Sequence, residues 1–487
     1  MTSLFCRHLR LTVLAICAIV ISGCSVGPDY KQPEMKLPDH YGASTTRPVG
    51  EAVRWWSTFK DPTLDSLVNR AADNNLDIRL ATARIREARA QRGVVAADWW
   101  PTVDALGSYN HQRTSNSSAN NFGGGTFAPK REFDAWEVGF DSTWEIDVFG
   151  GVRRSVEAAN ADIQASVEDR RDVIVTLLGD VARNYIELRG RQRQLAITRA
   201  NLVSQQETLD LTRARFNAGL VGELDVARAQ ALVATTSSQV PALEALVRQS
   251  IHRLGVLLGS EPSALASELG PEGPIPIGVG AIPVGLPSEL LRRRADIRRA
   301  ERQLAAQTAR IGVATADLFP RFTLTGSLGW QSERFKDLGS DNSLFWNIGP
   351  GFRWNIFDAG KIRSNIRVQD ARQEQALVQY QQAVLTSLED VENALVNYDR
   401  EQSRRVALAA AVDSNRRAVE LANQLYSRGL VDFLNVQESQ RSLLAAEDQL
   451  AQSDTAVSSN LVAVYKALGG GWDAIEADQA QKEQQRQ

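Results

Sequence analysis

Two pairs of segments in this chain alternate apolar and polar residues. In the later pair, residues 322–330 and 346–356, large apolar side chains interleave with Thr, Ser, Asn, Gly and Arg. In the earlier pair, residues 136–146 alternate cleanly and residues 103–109 less well. Such alternation predicts β-strands with one apolar face. Segments of about ten residues with aromatic ends are typical of membrane-barrel strands, but half-buried strands of a soluble sandwich share the pattern, which alone leaves both folds open.

The longest uninterrupted segments are predicted to be helices. No proline occurs at 152–218 or 361–428, and at about 1.5 Å per residue each run can extend about 100 Å. In the second run, apolar residues recur every three or four positions, at Leu377, Tyr380, Val384, Leu388, Val391, Leu395 and Tyr398. Because this spacing is close to the repeat of supercoiled helices, the helices are expected to pack side by side.

The whole pattern occurs twice, which indicates an internal two-fold repeat. Residues 74–101 resemble residues 293–320 at a shift of 219 (293 − 74), and residues 136–150 resemble residues 346–360 at a shift of 210 (346 − 136). The difference between the two shifts falls in a Ser-, Asn- and Gly-rich loop at 114–130. Each copy is predicted to contain a helix, two strands, a long helix, a turn and a second long helix.

These features divide the chain into six segments. The segment between the copies is predicted to be a linker, because its many prolines cannot sustain a helix. The segments are a signal peptide at 1–23, an N-terminal segment at 24–62, the first copy at 63–258 with strands within about 101–149, the linker at 259–287, the second copy at 288–469 with strands within about 320–358, and a polar tail at 470–487.

The N-terminus has the features of an export signal. Arg7 and Arg10 precede an apolar run at 11–21, which is too short to span a bilayer comfortably. The run ends in Ile21-Ser22-Gly23-Cys24, which resembles a bacterial lipobox. We expect Cys24 to be lipidated and to begin the mature chain; an ordinary signal peptide with a chance cysteine is the alternative. The other two cysteines precede Cys24, so the mature chain is expected to form no disulfide.

Composition argues against several functional classes. The 55 Lys and Arg residues are balanced by 58 Asp and Glu, so no basic excess is available for nucleic acid. Four scattered histidines offer no ligand pair at helical spacing, and the sequence contains no phosphate-binding loop and no nucleophile elbow. The chain is therefore predicted not to be an enzyme and to need no cofactor beyond the lipid on Cys24.

Four strands are too few to close a barrel. An open strand edge in lipid leaves backbone groups unpaired, and the smallest outer-membrane barrels have about eight strands. Two copies would give an eight-stranded barrel, which its own side chains fill, whereas three copies would give twelve strands and space for an aqueous bore. The sequence therefore predicts a mixed α and β fold that trimerises into a twelve-stranded transmembrane β-barrel.

At this point a family resemblance becomes visible. The duplicated plan, the lipobox followed by Gly27-Pro28-Asp29-Tyr30, and the paired turns at 216–219 and 426–429 resemble the TolC-like outer-membrane efflux proteins, in particular the OprM/NodT lipoprotein branch. The resemblance implies a homotrimer in the outer membrane whose barrel continues into a long periplasmic α-helical barrel. It also implies a periplasmic adaptor protein and an inner-membrane transporter as partners. The implied function is the exit duct of an RND-type tripartite efflux pump for drugs or other small toxic compounds.

The resemblance also implies a gate at the periplasmic turns, which contain Gly219 and Gly429. Candidate gate residues here are Asp225, Arg228, Asp432, Asn435 and Glu438. Asn435 and Glu438 occupy positions that are paired aspartates in TolC, so this chain departs from the double-aspartate pattern. A contact of Arg228 with Asp225 or Glu438 is expected to hold the closed state, with solvated helix-end charges as the alternative.

Two other functions share parts of this pattern. An outer-membrane port for type I protein secretion has a similar plan, although the lipobox favours pump-linked efflux. A lipid-anchored coiled-coil structural protein without a pore would explain the helices and Cys24, but it would leave the four aromatic-edged strands unexplained.

Overall fold

A computed structural model describes residues 25–38, 54–113, 132–278 and 287–486. Cys24, the loop at 114–130 and the end of the linker lie outside these residues. The strands are β1 (Thr102–Arg113), β2 (Glu132–Ile146), β3 (Arg321–Ser332) and β4 (Leu344–Arg353). In chain order the helices are α1 (Pro62–Asn74), α2 (Leu76–Ala97), α3 (Gly151–Asn217), α4 (Glu223–Leu257), α5 (Ala266–Leu269), α6 (Pro287–Arg293), α7 (Ala295–Ala316), α8 (Lys361–Ser427), α9 (Phe433–Ala467) and α10 (Trp472–Arg486).

Corresponding helices in the two halves have equal lengths. Helices α2 and α7 each contain 22 residues, α3 and α8 each contain 67, and α4 and α9 each contain 35. The predicted long helices are therefore confirmed, as are the four strands, although β4 ends at Arg353 before the alternating pattern does. None of the helices in the described part of the chain combines the length and apolar composition that a membrane span needs.

The chain forms two compact units. The first unit contains residues up to Pro33 together with 85–165 and 301–379, and the second contains 34–84, 166–300 and 380–487. The first unit carries one antiparallel sheet in the order β1-β2-β3-β4. Beside the sheet, a strap formed by residues 25–30 runs along the ends of α3 and α7.

Arg154 of α3 fastens the strap. Its buried guanidinium donates to the carbonyl oxygens of Val26 at 3.2 Å and Gly27 at 3.4 Å, and to the carboxylate of Asp29 at 2.7 Å. Gly27 approaches Gly312 so closely that a Cβ on Gly27 would lie 2.4 Å from the Gly312 Cα. Three contacts from one arginine and a glycine-only approach show that this segment is docked.

The second unit has the largest hydrophobic core. A short 3-10 helix at Trp55–Phe59 buries its aromatic rings in one cluster with residues of α3, α4 and α9. The C-terminal segment was assigned from the sequence only as a polar tail, but it forms α10 and buries Ala474 and Ile475 in the same core. The Trp472 ring lies 4.2 Å from the Arg171 guanidinium carbon and 5.6 Å from that of Arg298, an attractive cation–π arrangement.

A buried carboxylate lies beside this C-terminal helix. Burial raises the pKa of Glu168, while the neighbouring Arg298 and Arg171 guanidinium groups act in the opposite direction. Arg298 contacts Glu168 at 2.6 Å, and Glu476 of α10 accepts from Arg171 at 3.0 Å. Because folding raises the pKa of Glu168, ionisation of this group weakens the folded state as the pH rises. The Arg298 and Arg171 guanidinium groups attract the ionised carboxylate and so reduce this loss of folding free energy.

The linker departs from its prediction over four residues. Its prolines predict no helix there, yet Ala266–Leu269 forms α5 between Pro262 and Pro271. Leu265 and Leu269 are buried, and Gln192 donates to the Leu269 carbonyl oxygen at 2.7 Å. The prediction was wrong because the prolines flank this stretch instead of interrupting it, and because tertiary burial stabilises one turn that local sequence does not favour.

Candidate functional site: strand face and hairpin turns

The pairing register aligns the apolar positions of all four strands on one face of the sheet. Ala105, Phe140, Leu328 and Trp346 form one row across the sheet. Since side chains alternate between faces along each strand, every second row lies on the same face as this one. Other large apolar side chains on this face are Val103, Tyr109, Trp136, Val138, Trp144, Ile146, Phe322, Leu324, Trp330, Leu344, Ile348 and Phe352.

This apolar face is uncovered. Phe140 is 52% exposed and Leu328 is 50% exposed, although β2 and β3 are paired on both sides, and Trp346 on the edge strand is 70% exposed. A soluble sandwich would pack such a face against a second sheet. Large contiguous apolar surfaces of this kind mark contact with a membrane or with another protein.

The opposite face of the sheet is polar. One row consists of Asp104, Asp141, Ser327 and Asn347, and another pairs Thr143 with Thr325. Among the strands that the structure describes, β1 and β4 are the edge strands, and their outer backbone groups have no strand partner. The sheet therefore has one face suited to lipid, one suited to water, and two edges available for pairing.

Equivalent tryptophans fasten the sheet to the preceding helices in each half. The Trp144 indole N–H donates to the carbonyl oxygen of Trp99 at 3.0 Å, beyond the end of α2. The Trp354 indole N–H donates to the carbonyl oxygen of Leu318 at 3.0 Å, beyond the end of α7. Each bond satisfies a carbonyl group that follows a helix end and fixes the junction between helix and strand.

The two long-helix hairpins turn at Gly219 and Gly429. Both glycines have left-handed backbone conformations, with φ of +74° and +75°. The following N–H groups reach back five residues, from Leu220 to the Arg215 carbonyl oxygen at 2.9 Å and from Leu430 to the Leu425 carbonyl oxygen at 3.0 Å. This arrangement satisfies the last carbonyl groups of α3 and α8 and favours glycine. Both turns therefore have the same geometry.

A small core holds the two hairpins together. The rings of Tyr426 and Phe433 are buried with centroids 5.8 Å apart, and Leu209, Ala229 and Val436 belong to the same cluster. Gln440 donates to the Thr208 hydroxyl at 2.9 Å across the same interface. The first and second hairpins thus pack directly against each other.

Arg215 adds a polar link between the hairpins. Its guanidinium carbon lies 4.7 Å from the centre of the Tyr426 ring. The same guanidinium donates to the carbonyl oxygens of Tyr426 at 2.5 Å and Ser427 at 3.2 Å, which end α8. A cation at a helix C-terminus is electrostatically favourable. Arg215 therefore connects the first hairpin to the end of the long helix in the second.

Residues 67–260 and 286–470 match the sequence profile of the family described as outer membrane efflux protein. The chain belongs to the outer membrane efflux protein family. Nodulation protein T of Rhizobium leguminosarum bv. trifolii is 32% identical over 461 residues, covering 94% of this chain and 97% of that protein. The solvent efflux pump outer membrane protein SrpC of Pseudomonas putida is 31% identical over 467 residues, covering 94% and 97%. Among solved structures, the outer-membrane channel OprN is 38% identical with a TM-score of 0.84, covering 92% of this chain and 100% of that chain.

These similarities bear directly on the predictions from sequence. The predicted family, the mixed α and β fold and the outer-membrane location are confirmed. The prediction that the chain is not an enzyme is also confirmed, because members of the family are outer-membrane channels. Within the described residues, no group of three or more His, Cys, Asp or Glu side chains could hold a metal ion.

The candidate gate residues of this efflux protein lie at the starts of α4 and α9. Asp225 lies in the first turn of α4, where its charge complements the helix N-terminus, and Arg228 contacts it at 4.0 Å. Asp432 is the residue before α9, and its side chain makes no capping hydrogen bond. Asn435 and Glu438 are exposed.

The structure brings together only some of these residues. Glu438 pairs with Arg441 one turn further along α9 at 2.9 Å, and the described part of the chain shows no contact between Glu438 and Arg228. The Glu438–Arg441 pair is exposed and the Asp225–Arg228 pair is partly exposed. Each pair lies within one helix, so each contributes little to stability. A gating role for these five residues stays a prediction.

Arg215 is the hairpin residue that the sequence analysis missed. The repeat aligns it with Leu425 of the second copy, because 425 − 215 equals the shift of 210. That replacement of an apolar residue by a cation was the available signal. It could not be interpreted without the fold, because Arg215 and Tyr426 are far apart in sequence.

Proposed function

We propose that this outer membrane efflux protein is the exit duct of an RND-type tripartite efflux pump. In this proposal it conducts drugs or other small toxic compounds passively from the periplasm to the exterior. The observation that carries the proposal is the four-stranded sheet with an uncovered apolar face, a polar face and two unpaired edges. Its relative SrpC is named as the outer membrane protein of a solvent efflux pump.

The sheet supports a homotrimer as the working form. Lipid cannot satisfy the free backbone groups of β1 and β4, so these edges must pair with other strands. In a closed rotational assembly, β4 of each copy pairs with β1 of the next. Three copies supply twelve strands, and the polar face carrying Asp104 and Asp141 then lines an aqueous bore.

The proposed partners are the proteins that a passive duct in the outer membrane requires for transport. A passive outer-membrane duct needs an energised transporter in the inner membrane and an adaptor that spans the space between them. The packed hairpins with Gly219 and Gly429 are the proposed meeting point in the periplasm, because their turns are the exposed ends of the long helices. The hairpins would close the duct at rest and separate when the partners bind.

One preparation tests both assembly and conduction. Purified in detergent, the protein is expected to have about three times the mass of the mature chain after subtraction of the micelle, because three copies close the barrel. The same preparation should give single-channel conductance in a planar bilayer. A stable monomer would contradict the trimer, and a trimer without conductance in any partner-bound state would favour a structural role.

Increased drug accumulation in cells lacking the chain, restored by re-expression, would support efflux over protein secretion.

We further expect the lipid anchor to be attached at Cys24. The lipobox motivates this site, and the docked strap begins at the next residue, Ser25. Two acyl chains can hold a protein stably at a membrane where one chain is marginal. Labelled palmitate should enter the wild-type protein and be absent from Cys24→Ala. Cys17→Ala is the matched control, because that cysteine lies in the signal peptide; it should be labelled like the wild type. Equal labelling of Cys24→Ala and wild type would exclude the anchor.

A further inference from the structure

The junction between β2 and α3 is covered by another segment of the chain, and the junction between β4 and α8 is exposed. At the first junction, residues 144–153, the strap lies against the loop: Val26 donates its N–H to the Phe149 carbonyl oxygen at 3.2 Å. A Cβ on Gly150 would lie 2.9 Å from the Ser25 Cα. Residues 146–149 are accordingly only partly exposed. The first junction is therefore covered by the chain itself.

The second junction, residues 354–363, carries large exposed apolar side chains. Residues 354–357, here called the wedge, follow β4 and carry Trp354, Ile356 and Phe357. Ile356 is 82% exposed and Phe357 is 86% exposed. Trp354 continues the apolar face of β4 beyond Phe352, and its indole N–H is held by the Leu318 carbonyl oxygen. The wedge thus extends the apolar face toward the start of α8.

Charge also differs between the junctions. At the first, Arg153 contacts the largely buried carboxylate of Asp147 at 3.2 Å. The shift of 210 places Arg363 at the position of Arg153 and Phe357 at the position of Asp147. No carboxylate in the described part of the chain pairs with Arg363 or with the neighbouring exposed Lys361. The carboxylate at this junction, Asp358, accepts instead from the backbone N–H groups of Gly360 and Ile362 at 2.8 and 2.7 Å. The second junction therefore combines apolar side chains with two exposed cations that form no ion pair within the described residues.

Strand pairing with another copy of the chain would not by itself cover the apolar face from which the wedge extends. Phe140 and Leu328 lie on strands that already have partners on both sides, and their side chains still remain about half exposed. A strand paired to β4 would satisfy its backbone edge and leave the outward side chains uncovered in the same way. An occupant that covers the outward side chains therefore approaches from the apolar face, and anionic groups on it would complement Lys361 and Arg363.

We propose that the wedge and the start of α8 form a phospholipid-binding surface at the periplasmic boundary of the membrane. Ile356 and Phe357 enter the boundary between headgroups and acyl chains, and Arg363 and Lys361 contact lipid phosphates. Each copy then holds the leaflet at two places, through the lipid-anchored strap at the first junction and through the wedge at the second. The inference rests on the proposed barrel, because it takes the apolar face to be in lipid.

The wedge is tested by depth-dependent quenching in the full-length trimer. Phe357→Cys is labelled with an environment-sensitive fluorophore and placed in phosphatidylethanolamine and phosphatidylglycerol nanodiscs that contain lipids with a shallow spin label. Strong quenching and a blue-shifted emission are expected. The control is Leu430→Cys, a 65% exposed residue at a hairpin turn, which should not be quenched. Unsubstituted protein corrects for any label on Cys24.

A second label separates failure of this inference from failure of the barrel. Leu328→Cys lies on the apolar face and should be quenched by deep spin labels if the sheet is in lipid. Quenching at 328 without quenching at 357, with crosslinking of residue 357 to a neighbouring copy, would overturn the wedge and leave the barrel intact. Absence of quenching at both sites would overturn the proposed barrel.

The role of the cations has its own measurement. Arg363→Gln is expected to lower the preference for phosphatidylglycerol over phosphatidylcholine about fivefold, the effect of one cation near an anionic surface. Arg372→Gln, an exposed arginine further along α8, is the matched control and should leave the preference unchanged. Equal effects of both substitutions would show that the lipid preference arises from nonspecific attraction between charges. No effect of Arg363→Gln would show that Arg363 does not contact lipid phosphates.

Discussion

Leu328→Arg is expected to remove most of the protein from the outer membrane. Leu328 lies within β3 in register with Phe140 and Trp346, and its side chain is half exposed on the apolar face. An arginine facing the middle of the bilayer costs about 2–4 kcal/mol per chain. Because a trimer contains the substitution three times, the inserted barrel should be strongly disfavoured relative to unassembled chains.

The neighbouring residue provides the control. Ser327 lies on the polar face of the same strand, in the row with Asp141 and Asn347, so Ser327→Arg is expected to insert nearly as well as wild type. The measurement is the amount of trimer in purified outer membranes at equal synthesis. Equal insertion of both variants would show that the apolar face does not contact lipid. Equal loss of both would show that strand pairing tolerates no arginine on either face.

Arg215→Ala is expected to raise the resting conductance of the duct. The arginine donates to the two carbonyl oxygens that end α8 and lies over the Tyr426 ring, so it holds one hairpin against the other. Hydrogen bonds to a charged group contribute about 2 kcal/mol, which corresponds to more than a tenfold shift of an equilibrium in each chain that must break them. If the hairpins separate when the duct opens, the closed state loses this stabilisation in all three copies.

Two comparisons make this prediction specific. Arg213 lies two residues away and is exposed, and within the described residues its ion pair is with Asp210 of its own helix at 3.5 Å, so Arg213→Ala should leave conductance unchanged. Arg228→Ala combined with Glu438→Ala should raise conductance less than Arg215→Ala, because both side chains contact residues of their own helices. Unchanged conductance of an intact Arg215→Ala trimer would place the gate elsewhere. A larger effect of the double variant would place it at contacts between copies.

The sequence by itself determined the elements and their order. Alternation of apolar and polar residues located the strands, because side chains on a strand point to opposite faces whatever the strand packs against. The absence of proline located α3 and α8, and the repeat predicted the same plan in both halves. Gly219 and Gly429 marked the hairpin turns, because a left-handed backbone favours glycine through local sterics. Apart from the repeat, which comes from comparing the two halves, these signals lie in the local sequence of each element.

Only the tertiary structure decided which distant residues meet. It showed that the apolar face is uncovered, which alternation alone leaves open because lipid and a second sheet favour the same residues. It also showed Arg154 fastening the strap, Trp472 between two arginines, and Arg215 at the end of α8. These contacts join residues far apart in the chain, and polar side chains such as Arg215 have the same local sequence signature whether they face solvent or bind a partner. Their roles depend on packing, which no local pattern encodes.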